Sequence, residues 1–423
     1  MSPMKRILIA GGGPAGALCG ERLAQAGFEV LIFEERLGWE KPCGGGVTWK
    51  TLERYPFLLQ GGVEKKLLHR AELIAPGGRR APLQLTRPLA LYSRATLNGF
   101  LLRRAQAAGC RVVEERVLGA EGNGCLRLRT ARQEYGGDFI VLATGARNPI
   151  RIGRRDQAES EAQVRTRAAR DLEQTLGYFV PREDDALRIA FLENFEGYLW
   201  SFPRPGHLSV GICGRIEQDG RRVPVAEMQQ KLDRFLAAEG IPTSGAQLFS
   251  HLLPSLAPGR WDGLVLGGPG WAQVGDAAGL VDPVTGEGIY YAMRSGELLA
   301  EALRAGQPEA YAARVRSDFL PELDRAARWQ HYFFRGRLLG AGVTTRLVEL
   351  LGRSPTFAAL VDDLVAGTQS YRGLQWRLAR IALPMLGEVV EGHRRDACAT
   401  EACATEACAT DPCATPVQEQ TGE

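Results

Sequence analysis

Three glycines close to the start of the chain have the spacing of a nucleotide-binding turn. Gly11, Gly13 and Gly16 lie between an apolar strand-like stretch, KRILIA, and a helix-like stretch, ALCGERLAQAG. In such a turn the first glycine makes a tight bend, the second lets a pyrophosphate approach the backbone, and the third allows the helix to pack closely on the strand. Free N–H groups at the helix start favour an anion there. We therefore predict a dinucleotide site that also includes the intervening residues Pro14 and Ala15.

Two acidic positions narrow the identity of the dinucleotide. Glu34 ends the second strand, FEVLIFE, where an acid suits the unphosphorylated ribose of FAD or NAD and disfavours NADP. Asp276 lies in GDAAGLVDPVTGEGI, residues 275–289, and its carboxylate could accept hydrogen bonds from a sugar-alcohol chain. The same stretch opens a helix whose N-terminus would stabilise a developing anion, such as that of reduced flavin. FAD is the favoured cofactor, with further predicted contacts from Pro283, Gly286, Gly288 and Ile289.

Two other stretches place reactive or aromatic side chains where a ligand would lie. In KPCGGG, residues 41–46, the glycines cost backbone entropy and pack little, so we infer that something approaches this backbone closely. Cys43 would face the cofactor or the substrate; the alternative is a buried thiol that acts as a small apolar residue. The stretch GYLWSFPR alternates Tyr198, Trp200 and Phe202, which predicts either one buried face of a strand or the wall of a substrate cavity.

Together these motifs resemble the geranylgeranyl reductase family of FAD-dependent proteins, which has the glutathione-reductase-like flavoprotein fold. The similarity lies in GDAAG followed by P-x-x-G-E-G-I-Y-Y-A-M, in the K-P-C-G segment, and in Y-x-W-x-F-P at residues 198–203. Arg94 matches the arginine that opens the family's FAD-contacting helix, although Asn98 stands where an acid is commoner. The resemblance extends from residue 4 to about residue 305.

The resemblance implies an α/β fold with a Rossmann-like FAD-binding domain, an inserted and mostly antiparallel β-sheet substrate domain, and a C-terminal helical region. We assign the FAD-binding domain to residues 1–64, 93–150 and 260–310, and the substrate domain to residues 65–92 and 151–259. The resemblance also implies further cofactor contacts, at Gly44, Gly45, Arg94, Val117 and Gly145. It implies substrate contacts at Tyr198, Trp200, Phe202 and Pro203.

The implied activity is the reduction of isolated carbon–carbon double bonds in a polyprenyl chain. Hydride would come from N5 of reduced FAD. Because an isolated alkene has no carbonyl to absorb charge, a proton must also arrive early from a positioned acid. Cys43 and Tyr198 are the candidate acids or positioning groups, and Trp200 is a third candidate catalytic residue. No separate NADPH fingerprint is visible, so the electron donor is either NADPH, through transient contacts, or a ferredoxin-like protein.

Other functions fit the same fold. Flavin monooxygenases usually have a D-G motif where this chain has Ala143-Thr144-Gly145, and halogenases have W-x-W-x-I-P where this chain has Tyr198 and Phe202. A non-catalytic flavoprotein that binds isoprenoids or carries electrons to a partner protein is a further alternative.

Composition argues against several classes of function. The net charge of +3 over 423 residues gives no reason to expect nucleic acid as a partner, and no apolar run reaches the roughly 18 residues of a spanning helix. The scattered cysteines of the globular part predict reduced thiols and a cytoplasmic protein. The five histidines lack ligand spacing, and the cysteines of a C-terminal repeat recur every five residues, so we predict no metal site.

The last quarter of the chain has its own organisation. We predict a helical region at residues 311–395 and a disordered low-complexity tail at 396–423, where the sequence repeats as DACAT, EACAT, EACAT, DPCAT. Within the helical region, YRGLQWRLARIALPML, residues 371–386, combines arginines with apolar side chains. This stretch is either a basic amphipathic segment on the inner face of a membrane or a helix that packs on the core and is interrupted by Pro384.

Overall fold

The computed structural model describes residues 5–123, 125–148, 150, 152–153 and 168–408. The N-terminal third mixes strands and helices: β1 (Arg6–Ala10), α1 (Pro14–Gln25), β2 (Glu29–Phe33), β3 (Gly46–Val47), α2 (Trp49–Arg54), α3 (Phe57–Gln60), β4 (Lys66–Ile74), β5 (Arg80–Leu91), α4 (Arg94–Ala107), β6 (Arg111–Val113), β7 (Gly119–Asn123), β8 (Cys125–Arg129), β9 (Glu134–Gly137) and β10 (Phe139–Leu142). The middle is mainly strands: β11 (Ile152–Gly153), β12 (Leu172–Val180), β13 (Leu187–Phe191), β14 (Gly197–Arg204), β15 (His207–Arg215), β16 (Glu217–Gln218), β17 (Arg221–Arg222), α5 (Val225–Ala238) and β18 (Gln247–Pro254). The C-terminal part is mainly helices: β19 (Gly267–Gly268), β20 (Trp271–Gln273), α6 (Ile289–Arg304), α7 (Ala310–Asp318), α8 (Leu320–Arg335), β21 (Arg337–Leu338), β22 (Ala341–Gly342), α9 (Val343–Leu351), α10 (Pro355–Val365) and α11 (Tyr371–Cys408).

The N-terminal sheet has the order β19-β20-β10-β1-β2-β6, and all its pairs are parallel except β19 with β20. Its central strands are almost wholly apolar because α1, α4 and α6 cover one face and the small sheet β11-β7-β8-β9 covers the other. The GGPG stretch at residues 267–270 is the predicted turn between two strands, β19 and β20. This sheet confirms the predicted α/β class with a Rossmann-like unit.

The second large sheet has the order β18-β12-β15-β14-β13-β4-β5-β3, and only the β13–β4 pair is parallel. All of its strands except β3 come from the two segments that we assigned to the substrate domain, and residues 151 and 154–167 of the second segment lie outside the described residues. The edge strand β3 is the end of the KPCGGG segment and pairs with β5. The segment that follows the nucleotide unit is therefore attached directly to the second sheet.

Helices α8 to α11 cover one face of the second sheet and enclose an apolar core with β4, β5 and β13. Helix α11 packs through side chains at helical spacing, Leu374, Leu378, Ile381 and Met385. In the described part of the chain, none of the helices is both long enough and apolar enough to cross a membrane.

Two predictions for this region are wrong. Helix α11 is not interrupted at Pro384; it continues through this residue, and packing on both sides of the proline offsets the lost backbone hydrogen bond. The disordered tail was predicted to begin at residue 396, but α11 extends to Cys408 because the repeat is rich in alanine and glutamate, which are strong helix formers. Residues 409–423 lie outside the described part of the chain.

Candidate functional site

A cavity of about 900 Å³ extends from the carboxyl ends of the parallel strands to the second sheet and the C-terminal helices. At its first end the wall consists of the glycine turn after β1, the end of β2 and the loop after β10. At the other end the wall consists of side chains from β4, β5, β13 and β14 and from helices α8 to α11. The carboxyl edge of a parallel sheet is where nucleotides bind in such folds.

The glycine turn has an open face toward this cavity. Gly11 has a φ of +110°, and a Cβ there would lie 2.2 Å from the carbonyl oxygen of Ala143. A Cβ on Gly16 would lie 2.0 Å from the carbonyl oxygen of Gly11, so this glycine brings α1 close to the turn. A Cβ on Gly13 would meet nothing within 4 Å, and Gly13 lines the cavity. The turn therefore leaves free, at the N-terminus of α1, the space that a pyrophosphate requires.

Glu34 lies beside the turn, as predicted from its spacing. Its Oε2 accepts a hydrogen bond from the backbone N–H of Gly12 at 2.9 Å, and its Oε1 accepts one from the N–H of Arg36 at 3.1 Å. The carboxylate is thus fixed at the cavity wall, where it could bind the hydroxyl groups of a ribose.

Arg94 is a buried cation with an unused donor. It begins α4, is 4% exposed and lines the cavity. Its Nη1 donates to Sγ of Cys43 at 3.3 Å and its Nη2 to Oδ1 of Asn98 at 3.3 Å, whereas its Nε has no hydrogen-bond partner among the described residues. A buried guanidinium N–H without a partner is costly, so the site fits a bound group that carries a polar or anionic atom.

The charges around Cys43 favour its thiolate. Burial opposes ionisation, but the positive charges of Arg94 and Arg204, the hydrogen bond from Arg94 and the charge of Lys41 outweigh it and lower the pKa of the thiol. The backbone N–H of Gly45 also donates to Sγ at 3.2 Å. Lowering the pKa of a thiol raises the fraction that is thiolate at a given pH, and a thiolate has no proton to donate. Cys43 therefore fits a charge-carrying or positioning role better than the role of proton donor.

Arg204, at the end of β14, holds the KPCGGG segment against the second sheet. This fully buried side chain pairs with Glu40 through Nη1, donates to the carbonyl oxygen of Cys43 through Nη2, and donates to that of Gly44 through Nε at 3.0 Å. The hydroxyl of Ser209, on β15, donates to the same Cys43 carbonyl at 2.9 Å. We call this set of contacts the Arg204 clamp.

The glycines after Cys43 are explained by packing within the protein. A Cβ on Gly44 would lie 2.6 Å from Cδ2 of Phe202, so the Phe202 ring occupies the space beside this glycine. Gly45 has a φ of +79°, and a Cβ there would lie 2.4 Å from the carbonyl oxygen of Tyr92. We expected something to approach the backbone closely at these glycines. Among the described residues, an aromatic side chain approaches Gly44 and the Tyr92 carbonyl approaches Gly45, while both glycines also line the cavity.

The loop before α6 forms a further part of the cavity wall, and it begins at Gly275, close to Ala15 of the glycine turn. Nζ of Lys41 donates to Oδ2 of Asp276 at 2.9 Å. Burial would raise the pKa of Asp276, but the charge and hydrogen bond of Lys41 lower it overall, so this carboxylate is ionised. Oδ1 of Asp282 accepts hydrogen bonds from the N–H groups of Val284 and Thr285, at 2.8 and 3.0 Å, and so shapes the loop that leads to the helix.

The aromatic residues of β14 lie on one face of the strand and line the cavity. The hydroxyl of Tyr198 donates to the carbonyl oxygen of Thr285 at 2.7 Å, and burial raises the pKa of this phenol well above its ordinary value. Nε1 of Trp200 donates to the Ser209 hydroxyl of the Arg204 clamp at 3.3 Å. Phe202 packs against Gly44. The alternation that predicted a cavity wall thus also connects the wall to the KPCGGG segment.

Behind this wall lies a buried polar network. Nε2 of Gln330 donates to Glu173 at 2.9 Å and to the Ser255 hydroxyl at 3.1 Å, while its Oε1 accepts from Arg215 at 2.7 Å. Burial raises the pKa of Glu173 to about 7, because Ser255, Arg215 and Gln330 only partly offset the loss of water. The network joins α8 to the second sheet at the base of the cavity.

The structure brings most of the predicted site residues to one cavity. Those that line it are Gly11, Gly13, Pro14, Ala15, Glu34, Cys43, Gly44, Gly45, Arg94, Val117, Gly145, Tyr198, Trp200, Phe202, Asp276, Gly286, Gly288 and Ile289. Three predicted residues do not: Gly16, Pro203 and Pro283. Gly16 packs under the turn. Pro203 points to the other face of β14 because side chains alternate along a strand, and Pro283 contributes its carbonyl oxygen to Gln330 at 2.7 Å.

Sequence reasoning missed two groups of residues. Lys41 and Arg204 were both within quoted motifs, directly before the proline of KPCGGG and directly after Y-x-W-x-F-P, and a buried cation beside an acid could have been suspected there. The second group is the far apolar wall, which comes from four separate helices: Trp329, Phe333, Leu347, Val361, Leu364, Val365 and Leu374. Nothing in their spacing indicates that they meet.

Comparison with known proteins agrees with this geometry. A family profile described as an NAD(P)-binding Rossmann-like domain matches residues 9–50. A digeranylgeranylglycerophospholipid reductase of Methanoculleus marisnigri is 31% identical over 326 residues, which is 70% of this chain and 75% of that protein. A chloroplastic geranylgeranyl diphosphate reductase of Oryza sativa subsp. japonica is 28% identical over 357 residues, 76% of this chain and 71% of that protein.

Solved structures show how widely the fold is shared. A geranylgeranyl bacteriochlorophyll reductase-like protein from Thermoplasma acidophilum superposes with a TM-score of 0.71 and 21% identity, covering 90% of this chain and 99% of that one. A flavin-dependent brominase superposes with a TM-score of 0.61 and 18% identity, covering 86% of this chain and 94% of that one. At such identities the superpositions establish the fold, which reductases and halogenases have in common.

Proposed function

This chain belongs to the geranylgeranyl reductase family of flavin-dependent oxidoreductases, and we propose that it binds FAD and saturates isolated carbon–carbon double bonds of a polyprenyl chain. The observation that carries the proposal is the continuity of the cavity. Its polar end has the glycine turn, Glu34 and Asp276, and its other end is walled by aromatic and aliphatic side chains. A long apolar chain fits this second end, because burial from water favours it there.

The residues at the polar end fit FAD in particular. The open face at Gly13 suits the pyrophosphate, and the Glu34 carboxylate suits an unphosphorylated ribose. The Asp276 carboxylate and the Lys41 ammonium would bind hydroxyl groups of a ribityl chain, and Nε of Arg94, which has no partner among the described residues, would donate to the cofactor. Electrons reach the cofactor from NADPH or from a ferredoxin-like protein.

In this proposal reduced FAD supplies the hydride, and the chain's own residues supply the orientation, the proton and the exclusion of water. Tyr198 is the proton donor that the geometry favours, since its raised pKa keeps the O–H intact and it lies in the cavity wall beside the loop before α6. Cys43, with its lowered pKa, acts as a positioning group that is held by the hydrogen bond from Arg94. Trp200 acts as a wall, because an indole N–H is a much weaker acid than a phenol and here donates to Ser209. The apolar walls keep water from positive charge that develops on the alkene.

A halogenase or monooxygenase on the same fold is the alternative function. The brominase shares the fold, but Tyr198 and Phe202 stand where the halogenase pattern has tryptophan and isoleucine. A flavoprotein that only binds isoprenoids or transfers electrons would leave the alkene intact, whereas a reductase would saturate it.

The test is an anaerobic single turnover. Purified protein is reduced with dithionite, geranylgeranyl diphosphate or an unsaturated polyprenyl glycerophospholipid is added, and products are analysed by mass spectrometry together with the flavin spectrum. We expect the flavin to reoxidise and the product to gain hydrogens in pairs. Gly13→Ala is the matched variant: a Cβ there meets nothing in the protein, so thermal unfolding of the apoprotein should match that of the wild-type apoprotein while FAD binding is lost.

Three outcomes contradict the proposal in different ways. An alkene that stays intact, with hydroxylation or halogenation once oxygen is added, favours the alternative enzymes. An intact alkene with rapid electron transfer to a second protein favours the non-catalytic carrier. A protein that cannot be reconstituted with FAD contradicts the cofactor assignment itself.

A further inference from the structure

Helix α11 is apolar on two opposite faces. Its inner face packs on the core through Leu374, Leu378, Ile381 and Met385. Its outer face exposes four large apolar side chains at intervals of seven, three and four residues, which places them along one side of the helix. These residues are Trp376 (79% exposed), Leu383 (80%), Leu386 (56%) and Val390 (51%), and we call them the outer stripe. Contiguous exposed apolar surface of this kind marks an interaction site.

The charges around the outer stripe are mainly positive. Arg372 and Arg380 are exposed, and their side chains form no ion pair within the described residues. Arg377 instead pairs with Asp363 at 2.6 Å on the inner side. The Glu388 carboxylate accepts hydrogen bonds from the hydroxyl of Thr356, at 2.5 Å, and from that of Ser354. Among the described side chains of this helix, the exposed acid is therefore Glu391. The outer stripe therefore has basic neighbours with free hydrogen-bond donors.

A basic and aromatic groove extends this surface toward the cavity. Between α8 and the start of α11, a depression of about 560 Å³ is lined by Arg325, Arg328, Trp329, Tyr332, Tyr371, Arg372 and Gln375. Trp329 and Tyr371 also line the main cavity, so the groove and the cavity share a wall. Arg372 lies one helical turn before Trp376, which makes the groove continuous with the outer stripe.

We propose that the outer stripe and the groove are a docking surface for an anionic lipid bilayer, with α11 lying along the interface. Apolar side chains would enter the boundary between headgroups and acyl chains, and Arg372 and Arg380 would bind lipid phosphates. The identity of the substrate rests on the proposed function: a polyprenyl lipid would pass from the bilayer to the cavity beside Trp329 and Tyr371. Binding to the bilayer does not itself depend on that activity.

The charges and aromatic side chains of the outer stripe favour a bilayer over a second copy of the chain. An isologous contact centred on Leu383 would bring the two copies of Arg380 close together, and like charges in an interface are unfavourable. Tryptophan and arginine at one end of an apolar stripe are typical of helices at the membrane interface. A bilayer with phosphate headgroups complements both features.

The experiment measures the co-flotation of the full-length protein with vesicles that contain no polyprenyl lipid. One set is phosphatidylcholine with about one third phosphatidylglycerol, and the other is phosphatidylcholine alone. We expect binding to the anionic set that weakens as salt is raised. Leu383→Ser should weaken binding about ten-fold or more, because one leucine no longer enters the interface. Arg372→Gln with Arg380→Gln should weaken binding to anionic vesicles roughly 30-fold, at about one kcal/mol for each arginine.

Leu339→Ser is the matched control. Leu339 is 82% exposed, like Leu383, but lies in the β21–β22 hairpin. It should leave binding unchanged, and thermal unfolding of all variants should match that of the wild type because none of these side chains packs on the core.

Several results would overturn the proposal. These are absence of flotation with either vesicle set, equal losses for Leu339→Ser and Leu383→Ser, or a dimer in analytical ultracentrifugation that Leu383→Ser converts to a monomer. Reductase activity is measured separately, in the anaerobic turnover with detergent-dispersed substrate. A protein that floats but does not reduce alkenes contradicts only the proposed function, and one that reduces dispersed substrate but does not float contradicts only the docking surface.

Discussion

Replacing Arg204 by methionine should weaken the attachment of the KPCGGG segment to the second sheet. It should also raise the pKa of the Cys43 thiol. Methionine has a similar length and stays apolar, so the substitution removes the guanidinium without filling or emptying much space. It leaves the partly buried carboxylate of Glu40 without its cation, and the carbonyl oxygens of Cys43 and Gly44 without the Arg204 donors. Ser209 still reaches the Cys43 carbonyl, so one contact of the Arg204 clamp remains.

The expected cost follows from the burial of the pair. Breaking a buried ion pair by removing one partner costs about 3–5 kcal/mol, because the remaining charge is unpaired. For a chain of 423 residues, that cost corresponds to a decrease in Tm of roughly 3–6 °C. The loss of one of the cations that lower the pKa of Cys43 should also raise that pKa. The thiolate fraction at a given pH should then fall.

Two assays measure these effects independently. Thermal unfolding gives the stability. The rate at which iodoacetamide alkylates Cys43, measured as a function of pH, gives the midpoint of thiol ionisation. Cys43→Ser gives the background from the other cysteines. Arg6→Met is the control, since its ion pair with Glu29 is about half-exposed on both sides and screened by solvent, so its loss should change thermal unfolding little. If Arg204→Met unfolds at the same temperature as the wild type and its Cys43 is alkylated with the same pH midpoint, the clamp is not the source of either effect.

Three further predictions concern the site and its support. Gly45→Ala should destabilise the protein by about 2 kcal/mol or more in a denaturant titration, because its φ is +79° and the new Cβ would meet the Tyr92 carbonyl. Gly77→Ala is the control and should be neutral, since a Cβ there would meet nothing within 4 Å. Glu173 holds a proton in the folded protein that the unfolded chain has lost, so wild-type stability should fall as pH rises from about 4.5 to about 7 and then level off. Glu173→Gln should remove that slope, worth about 3 kcal/mol, and a slope that persists in the variant would assign it to another group. Tyr198→Phe should lower the single-turnover rate of alkene reduction about 100-fold or more while FAD content stays constant; an unchanged rate would exclude Tyr198 as the acid.

The parts of the site that were predictable from the sequence are those whose function depends on local spacing. The glycine turn, Glu34 and the alternating aromatic residues of β14 are each defined within a few residues of the chain, and each lines the cavity. The predicted role of Gly44 illustrates the limit of this reasoning. The sequence indicates that something approaches that backbone, but only the fold brings Phe202 there, from 158 positions away.

The apolar wall and the helix boundaries depend on contacts that are distant in the sequence. Leu347, Val361 and Leu374 belong to three different helices and meet only because those helices cover the same face of the second sheet. The continuation of α11 through Pro384 has a similar origin, since tertiary packing outweighs the local preference of proline.

The Arg204 clamp has a consequence for how this enzyme could acquire new substrates. Because the clamp ties the cofactor-side loop to β14 and β15, changes in the aromatic wall would disturb the cofactor side as well. Among the described residues, no side chain of the helical wall forms a hydrogen bond or ion pair with the clamp, and most of this wall is aliphatic, as at Leu347, Val361 and Leu364. Under the proposed function, substitutions in the helical wall would change the length and branching of the chain that is accepted, while the polar end of the cavity and the clamp are preserved.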